Sequence, residues 1–353
     1  MTLQTGAHDI ADLLAARFQS AAAFGLSTIE KVLQADIAAH NTIVSEMVAE
    51  MCDPTTDRQR IYGTSAGGDM VEVDEYGKAP TQRSQPGATV GFPLKLFQFN
   101  LGWTYKWFQN HTPADMATMV LAAEAAHYRR VQMEIKKAIF GSTNFTYIDH
   151  LVDKVSLNIK RFLNADSVAI PNGPNGEVFV PSSHTHYNAN ASLTAAAVLA
   201  NINDVIEHGH GNSVKTAISK TNETAFRALS GFQPYVDPRM IYRVSDTPGQ
   251  AVDISRLDNR AIGIFEGSEV WVKSWMEASY LFTWDSADPQ KPLAYRQRDA
   301  MGLQGLHLAA EIEDYPLNAR DLVAEFGVGV WARTNGAALY FAGGGWADPT
   351  ITG

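Results

Sequence analysis

The fold of this chain is decided by residues 112–141, TPADMATMVLAAEAAHYRRVQMEIKKAIFG, which have the pattern of one long helix. Thr112 and Asp115 form a capping-box pattern, Pro113 suits the first helical position, and Gly141 follows the last turn. One face of the helix would carry Met116, Val120, Ala123, His127, Val131 and Ile135. At 1.5 Å per residue the helix would be about 40 Å long, so we expect a spine helix across which a sheet lies.

The stretch before this helix, residues 97–107, reads FQFNLGWTYKW and alternates apolar with polar side chains. Such alternation is typical of a half-buried strand, because successive side chains point to opposite faces of a sheet. Aromatic residues dominate one face and suit a pleated, half-buried surface. We therefore predict that this face packs in the core and is not a ligand platform.

Near the other end of the chain, residues 325–345 read EFGVGVWARTNGAALYFAGGG. Alternating apolar positions flank Asn335-Gly336, a dipeptide that favours the type I′ turn of a two-residue β-hairpin. The segment offers no nucleophile and no ionisable pair. We therefore predict that it is a β-hairpin with a structural role and not part of a binding pocket.

Residues 53–93 differ from the rest of the chain, because glycine and proline interrupt short strand-like runs such as Met70 to Glu75. This polar, extended excursion cannot bury much of itself. Long loops in compact domains are uncommon, and they usually serve a function or depend on a partner.

The remaining pattern predicts mixed helices and strands, an α+β chain. A capping-box pattern at Ser27 and Glu30 starts a helix over Thr28 to Met51, and further helices are expected over Leu193 to Glu207 and Ala225 to Leu229. The expected strands are Ile241 to Val244, Ala261 to Phe265, Val270 to Lys273, Tyr280 to Trp284 and Leu306 to Ile312.

Composition narrows the classes of protein. The chain has 353 residues, 45% hydrophobic and 19% charged, with a net charge of -10. One elaborated domain, or two that share strands, fits this length. The acidic balance argues against tight non-specific nucleic-acid binding, which relies on excess Lys and Arg. No apolar run is long enough to span a membrane, and the first residues lack the pattern of a secretory signal.

Candidate chemistry is sparse. His184 with His186, and His208 with His210, have the H-x-H spacing that can bind zinc on a strand. Neither pair has an evident acidic ligand nearby, so we predict capping or solvation and no metal site. His127 is predicted to be a satisfied core histidine, and the single cysteine, Cys52, a buried thiol. No catalytic group and no cofactor site is predicted.

The order of these elements resembles the major capsid proteins of tailed double-stranded DNA bacteriophages, the Hong Kong 97-like fold. The stretches that carry the resemblance are residues 112–141 as the spine helix, 261–275 (AIGIFEGSEVWVKSW) as a central strand pair and 326–349 (FGVGVWARTNGAALYFAGGGWADP) at the end. The resemblance covers nearly the whole chain.

The resemblance implies five parts. They are an N-terminal helical arm (1–52), an extended E-loop hairpin with its base (53–111), a peripheral domain with the spine helix (112–190), an axial α/β domain (191–311) and the C-terminal hairpin of the peripheral domain (312–353). The E-loop would reach over a neighbouring subunit. Its expected inter-subunit contacts are Asp69, Glu72, Asp74, Glu75, Lys78 and Arg83.

The implied function is structural. The chain would assemble with itself, through pentamers and hexamers, into an icosahedral shell around double-stranded DNA that it does not grip tightly. A portal and a separate scaffolding protein would be partners, without a membrane, and assembly in the host cytoplasm would give a component of the virion. Two alternatives stay open: a metal-dependent hydrolase using His184 and His186, and the shell of a cellular encapsulating compartment.

Overall fold

The computed structural model describes residues 7–62, 70–81, 87–235 and 259–351. The helices in these ranges are α1 (Ile10–Ala15), α2 (Ala21–Phe24), α3 (Leu26–Ala49), α4 (Tyr105–Asn110), α5 (Pro113–Phe140), α6 (Ala195–Ile206) and α7 (Glu223–Arg227). The strands are β1 (Cys52–Thr55), β2 (Gln59–Tyr62), β3 (Ala88–Gly91), β4 (Lys95–Thr104), β5 (Phe145–Ile148), β6 (Ser156–Ile159), β7 (Tyr187–Ala189), β8 (Val214–Ile218), β9 (Phe232–Pro234), β10 (Asn259–Phe265), β11 (Ser268–Lys273), β12 (Tyr280–Asp285), β13 (Leu293–Gln297), β14 (Leu306–Asp314), β15 (Leu317–Val330) and β16 (Ala337–Tyr340).

The spine helix α5 confirms the prediction at both ends. The backbone N–H of Thr112 donates to Asp115 Oδ2 at 2.9 Å, Thr112 Oγ1 accepts from the backbone N–H of Asp115, and Gly141 follows the last turn. Every residue of the predicted apolar face is buried. The helix packs against β15, α1 and α3, so one side of the largest core is built on it.

Strand β15 organises a five-stranded sheet beside this helix. It pairs antiparallel with β4, β13 and β14, and β1 joins β13 in parallel. The predicted aromatic strand is confirmed as far as Thr104, where the hydroxyl group accepts from Trp107 N–H and begins α4. Tyr105 and Trp107 therefore belong to a helix and not to the strand.

A seven-stranded sheet has the order β7-β16-β12-β8-β11-β10-β9. It contains three of the five predicted strands, as β10, β11 and β12, and part of a second core, in which Val198 and Ile202 of α6 are fully buried. The predicted strand Leu306 to Ile312 is β14 of the other sheet, and the strand predicted over Ile241 to Val244 lies outside the described residues. The predicted helices over 193–207 and 225–229 are confirmed as α6 and α7.

The predicted C-terminal hairpin is wrong. Strand β15 lies in the five-stranded sheet, whereas β16 pairs with β12 and β7 in the other sheet. Asn335 is fully buried, and its side chain accepts from Asp285 N–H at 2.8 Å and donates to the Gln290 carbonyl at 2.9 Å. Gly336 leaves room for the ring of Phe162, which a Cβ would meet at 2.5 Å. The Asn-Gly pair thus joins two sheets through the core.

The predicted start of the first long helix also needs correction. Helix α3 begins after Gly25, at φ 113°, and no side chain caps it, so Ser27 and Glu30 do not form its capping box. The N-terminal segment before α3 packs into the core, since Leu13 and Phe24 are buried in the cluster that also contains residues of the spine helix. The expected boundary between residues 311 and 312 falls inside β14.

Candidate assembly surface

The excursion begins and ends in a short hairpin held on the protein. Strands β2 and β3 pair from Gln59↔Gly91 to Tyr62↔Ala88. The side chains of Tyr62, Val90 and Phe92 are buried with Ala294 in a small core of their own. Residues 53–62 and 88–93 are therefore a fixed base for the loop between them.

A buried ion pair holds this base. Arg296 on β13 donates to Asp149 Oδ2 at 2.8 Å and to the Phe92 carbonyl at 2.8 Å. The Asp149 side chain is fully buried and that of Arg296 is 5% exposed. One guanidinium group thus joins β13, the end of the base and the turn between β5 and β6.

The described part of the loop, residues 70–81, contrasts with its base because all twelve residues are exposed. It contains one turn, in which Asp74 accepts from Tyr76 N–H through its side chain and from Gly77 N–H through its carbonyl, both at 3.0 Å. The strand-like run predicted over Met70 to Glu75 is absent from this described segment. Residues 70–81 therefore form an extended segment without a core of its own, which is called the exposed arm below and is distinct from the N-terminal helical arm.

The predicted contact residues divide into two groups. Glu72, Asp74, Glu75 and Lys78 lie on the exposed arm, and none of the four has an ion pair with another described residue. Asp69 and Arg83 lie outside the described residues. The arm thus presents charges that its own subunit does not neutralise within the described ranges.

Large apolar side chains are exposed on the same arm. Met70 and Tyr76 are 104% and 90% exposed, and Val71 and Val73 are about half exposed. Monomeric proteins seldom expose large contiguous apolar patches, and such surface usually marks an interaction site.

The β14–β15 hairpin forms a second exposed feature. Residues 309–314 of β14 are exposed, β14 pairs only with β15 among the described strands, and the tip residue Tyr315 is 83% exposed. Glu311 binds Arg320 at 2.9 Å and Glu313 accepts from Asn318 at 3.2 Å, so both carboxylates have partners within the hairpin. An unpaired strand edge and an exposed aromatic tip are suited to contact with another chain.

The histidine residues are arranged differently from the prediction. The Nε2 atoms of His184 and His186 are 3.3 Å apart, and His184 Nε2 lies 3.0 Å from His208 Nε2. Glu207 Oε1 lies 3.3 Å from His184 Nε2. The expectation that no acidic ligand lies near these histidines is therefore wrong. His210 lies apart and contacts Asp288 Oδ2 at 2.6 Å and Thr334 Oγ1 at 2.9 Å.

The fold explains how His184, His186, Glu207 and His208 come together. Glu207 is the C-cap of α6, and Gly209, at φ 88°, lets the chain turn directly after His208. The bridge between Asn164 and Thr185 directs the loop that carries His184 and His186 towards that helix end. The sequence offered one signal that was missed, namely a glutamate directly before the second histidine pair.

Burial keeps the three imidazoles neutral. It lowers the pKa of His208 to about 3, lowers that of His184, and holds that of His186 well below its usual value. The pKa of Glu207 is raised to about 7, mainly by burial and to a smaller extent by the negative charges of Asp204 and Glu177.

A second buried polar group lies between α3 and α5. His127 Nδ1 is 3.0 Å from His40 Nε2, and burial lowers the pKa of His127 to about 4. Glu124 shares a hydrogen bond with Asp36. Burial is the main cause that raises the pKa of Glu124 to about 7, and the negative charge of Asp36 is the second cause. His127 is buried in the core as predicted, but it is only partly satisfied, because its Nε2 has no hydrogen-bond partner among the described residues. Cys52 is also buried as predicted, and burial raises the pKa of its thiol.

The raised pKa of Glu124 predicts a pH-dependent stability. Its folded pKa lies above the unfolded value, so the protonated carboxyl group stabilises the fold at low pH and that stabilisation is lost as the pH rises through about 7. We expect Glu124→Gln to be more stable than the parent protein at pH 8, by on the order of 1–2 kcal/mol, and to lose this advantage at pH 5. Thermal melts between pH 5 and 9 measure it.

Glu46→Gln, at an exposed position of the neighbouring helix α3, is the matched control. It should leave the pH profile unchanged. A Glu124→Gln profile parallel to that of the parent protein would show that Glu124 does not titrate in this range.

Comparison with solved structures identifies the fold of this chain. No protein-family model and no curated protein sequence matches the chain. A solved structure from Mycobacterium phage Patience matches with a TM-score of 0.69 and 18% identity, over 99% of this chain and 96% of that one. The capsid of a native GTA particle matches with a TM-score of 0.52 and 13% identity, over 85% and 90%, and that of an empty GTA particle with 0.50 and 13%, over 84% and 89%. The Hong Kong 97-like capsid fold predicted from the sequence is confirmed. None of the described helices is long and apolar enough to cross a membrane.

Proposed function

We propose that this chain is a major capsid protein that assembles through pentamers and hexamers into an icosahedral shell enclosing double-stranded DNA. The observation that carries the proposal is the exposed arm at residues 70–81, which extends from a base fixed by buried residues. The fold, shared with the capsid of a GTA particle, agrees with this role.

The arm explains how assembly gains free energy. Apolar surface such as that of Met70 and Tyr76 gains about 25 cal/mol per Å² when it leaves water, and it can do so only on another copy. Symmetric repetition of one contact closes a shell. Because the base is rigid, little order is lost at that end of the loop when the arm docks, which lowers the cost of association.

Charge bears on the contents of the shell. A net charge of -10 for each subunit opposes tight binding of DNA phosphates. The shell would therefore confine packed DNA without gripping it. The proposal includes a portal and a separate scaffolding protein as partners, a place in the virion and assembly in the host cytoplasm, and it assigns no enzymatic activity to the chain.

The first test is the size of the purified protein. We expect sedimentation velocity to show pentamers, hexamers or closed particles, and negative-stain microscopy to show shells of uniform diameter. Stable monomer at all protein and salt concentrations would contradict the proposal.

The second test is the content of particles purified from infected cells. We expect DNA that is protected from nuclease. Particles that enclose a specific protein and no DNA would instead identify an encapsulating compartment of the same fold.

A further inference from the structure

We propose that His184, His186, His208 and Glu207 bind one Zn²⁺ ion, which fastens the irregular segment before β7 to the end of α6. This site is independent of shell assembly, and it replaces the prediction that these histidines are not metal ligands.

The distances between the four ligand atoms support the site. One ligand atom from each of the four residues lies within 4.8 Å of the other three, and the distances from His184 Nε2 to His186 Nε2, His208 Nε2 and Glu207 Oε1 are 3.3, 3.0 and 3.3 Å. Zinc bonds of 2.0–2.1 Å in a tetrahedron place neighbouring ligand atoms about 3.3–3.4 Å apart. The three distances from His184 are close to this spacing, and the other pairs, such as His208 Nε2 and Glu207 Oε1 at 3.8 Å, are wider but stay within 4.8 Å.

The hydrogen positions also favour a cation. His186 Nδ1 lies 2.8 Å from the Gly336 carbonyl, which only accepts, so this nitrogen carries the proton and His186 Nε2 presents a lone pair. His184 Nε2 faces both that atom and His208 Nε2, and one hydrogen on it can serve only one of them. A cation at the centre would accept all of the lone pairs. The hydrogen bond to Gly336 would then fix the ring of a zinc ligand, a common supporting contact.

The donor set selects the metal and its role. Three imidazole nitrogens and one carboxylate oxygen suit Zn²⁺, whereas Ca²⁺ takes six to eight oxygen ligands and Mg²⁺ also prefers oxygen. All four positions of a tetrahedron would be filled by the protein. Catalytic zinc sites keep one position open for water, so this arrangement favours a structural ion over the hydrolase that the H-x-H spacing suggested.

The position in the fold shows what the ion would stabilise. No helix or strand is formed between β6 and β7, residues 160–186, although this whole segment is described. The ring of Phe179 in that segment covers His208 and His184 at centroid distances of 4.1 and 4.8 Å. The ion would therefore fix a long irregular segment to α6 and, through His186, to the connection between β15 and β16.

The experiment uses the full chain without a histidine tag. We expect about one zinc per chain by mass spectrometry after dialysis against metal-free buffer. Removal with a chelator should lower the midpoint of thermal unfolding, and added Zn²⁺ should restore it. Co²⁺ in place of zinc should give the intense visible absorption of a tetrahedral site.

Variants separate the site from adventitious binding. We expect His208→Ala and Glu207→Gln to weaken zinc binding at least tenfold and to abolish the thermal shift on adding zinc, while His210→Ala keeps both. No zinc in the parent protein together with no shift on adding Zn²⁺ would overturn the proposal, as would equal zinc affinity in the parent and His208→Ala proteins. Shell formation is measured separately, so a failure here leaves the proposed function untouched.

Discussion

Replacing residues 70–81 with a Gly-Ser linker of equal length is expected to give a folded subunit that does not close into shells. All twelve residues are exposed, and their hydrogen bonds with described residues stay within the Asp74 turn. The fold therefore loses almost nothing, whereas each contact between subunits loses its apolar and charged surface. Far-UV circular dichroism and the thermal midpoint should match those of the parent, and sedimentation should show no closed particles.

Two partial variants divide the effect between charge and apolar surface. Exposed ion pairs contribute roughly 0–1 kcal/mol each, so a triple change of Glu72, Glu75 and Lys78 to Gln should weaken assembly mildly and reduce its dependence on salt. Met70→Ser with Tyr76→Ser should weaken it strongly. Normal particles from the linker variant would show that the arm is not an inter-subunit contact, and loss of folding would place the arm in the core.

Asp149→Ala is expected to lower the free energy of unfolding by about 3–5 kcal/mol, because it leaves the buried Arg296 guanidinium without its counter-ion. The change should also loosen the base of the excursion, since Arg296 donates to the Phe92 carbonyl. Urea unfolding of the dissociated subunit measures the loss. Assembly should then fail at temperatures where the parent still forms shells.

The exposed ion pair between Asp153 and Arg58 provides the control for Asp149→Ala. Asp153 accepts from Arg58 at 2.8 Å, but both side chains are more than 30% exposed. Asp153→Ala should leave stability almost unchanged, since water replaces the lost partner. Equal losses from the two aspartate variants would show that burial does not set the strength of the Asp149 pair.

These two expectations share one structural reason. An arm that reaches a neighbour is useful only if its base holds still, and the base of this arm is fixed by a small core and a buried ion pair. The arm itself has neither. Within one excursion, the base at residues 53–62 and 88–93 is thus held rigidly, and residues 70–81 between them are exposed.

The candidate sites were only partly predictable. The arm could be found from its glycines, prolines and charges, because a segment that cannot bury itself is visible in composition. The ion pair between Asp149 and Arg296 joins residues 147 positions apart, and no local pattern indicates it. The histidine cluster joins residues of one loop to the end of α6, and the sequence showed its histidines without showing that Glu207 completes the set.

What the sequence by itself determined were the elements whose signals lie within a few residues of one another. The spine helix is set by its capping box, its apolar face and Gly141, and β4 by alternation up to Thr104. The tertiary structure decided which strands pair. Asn335-Gly336 favours a hairpin locally, but the polar groups of Asn335 are satisfied by Asp285 and Gln290, and β15 and β16 pair with strands of separate sheets. Pairing depends on contacts between distant residues, which periodicity does not record.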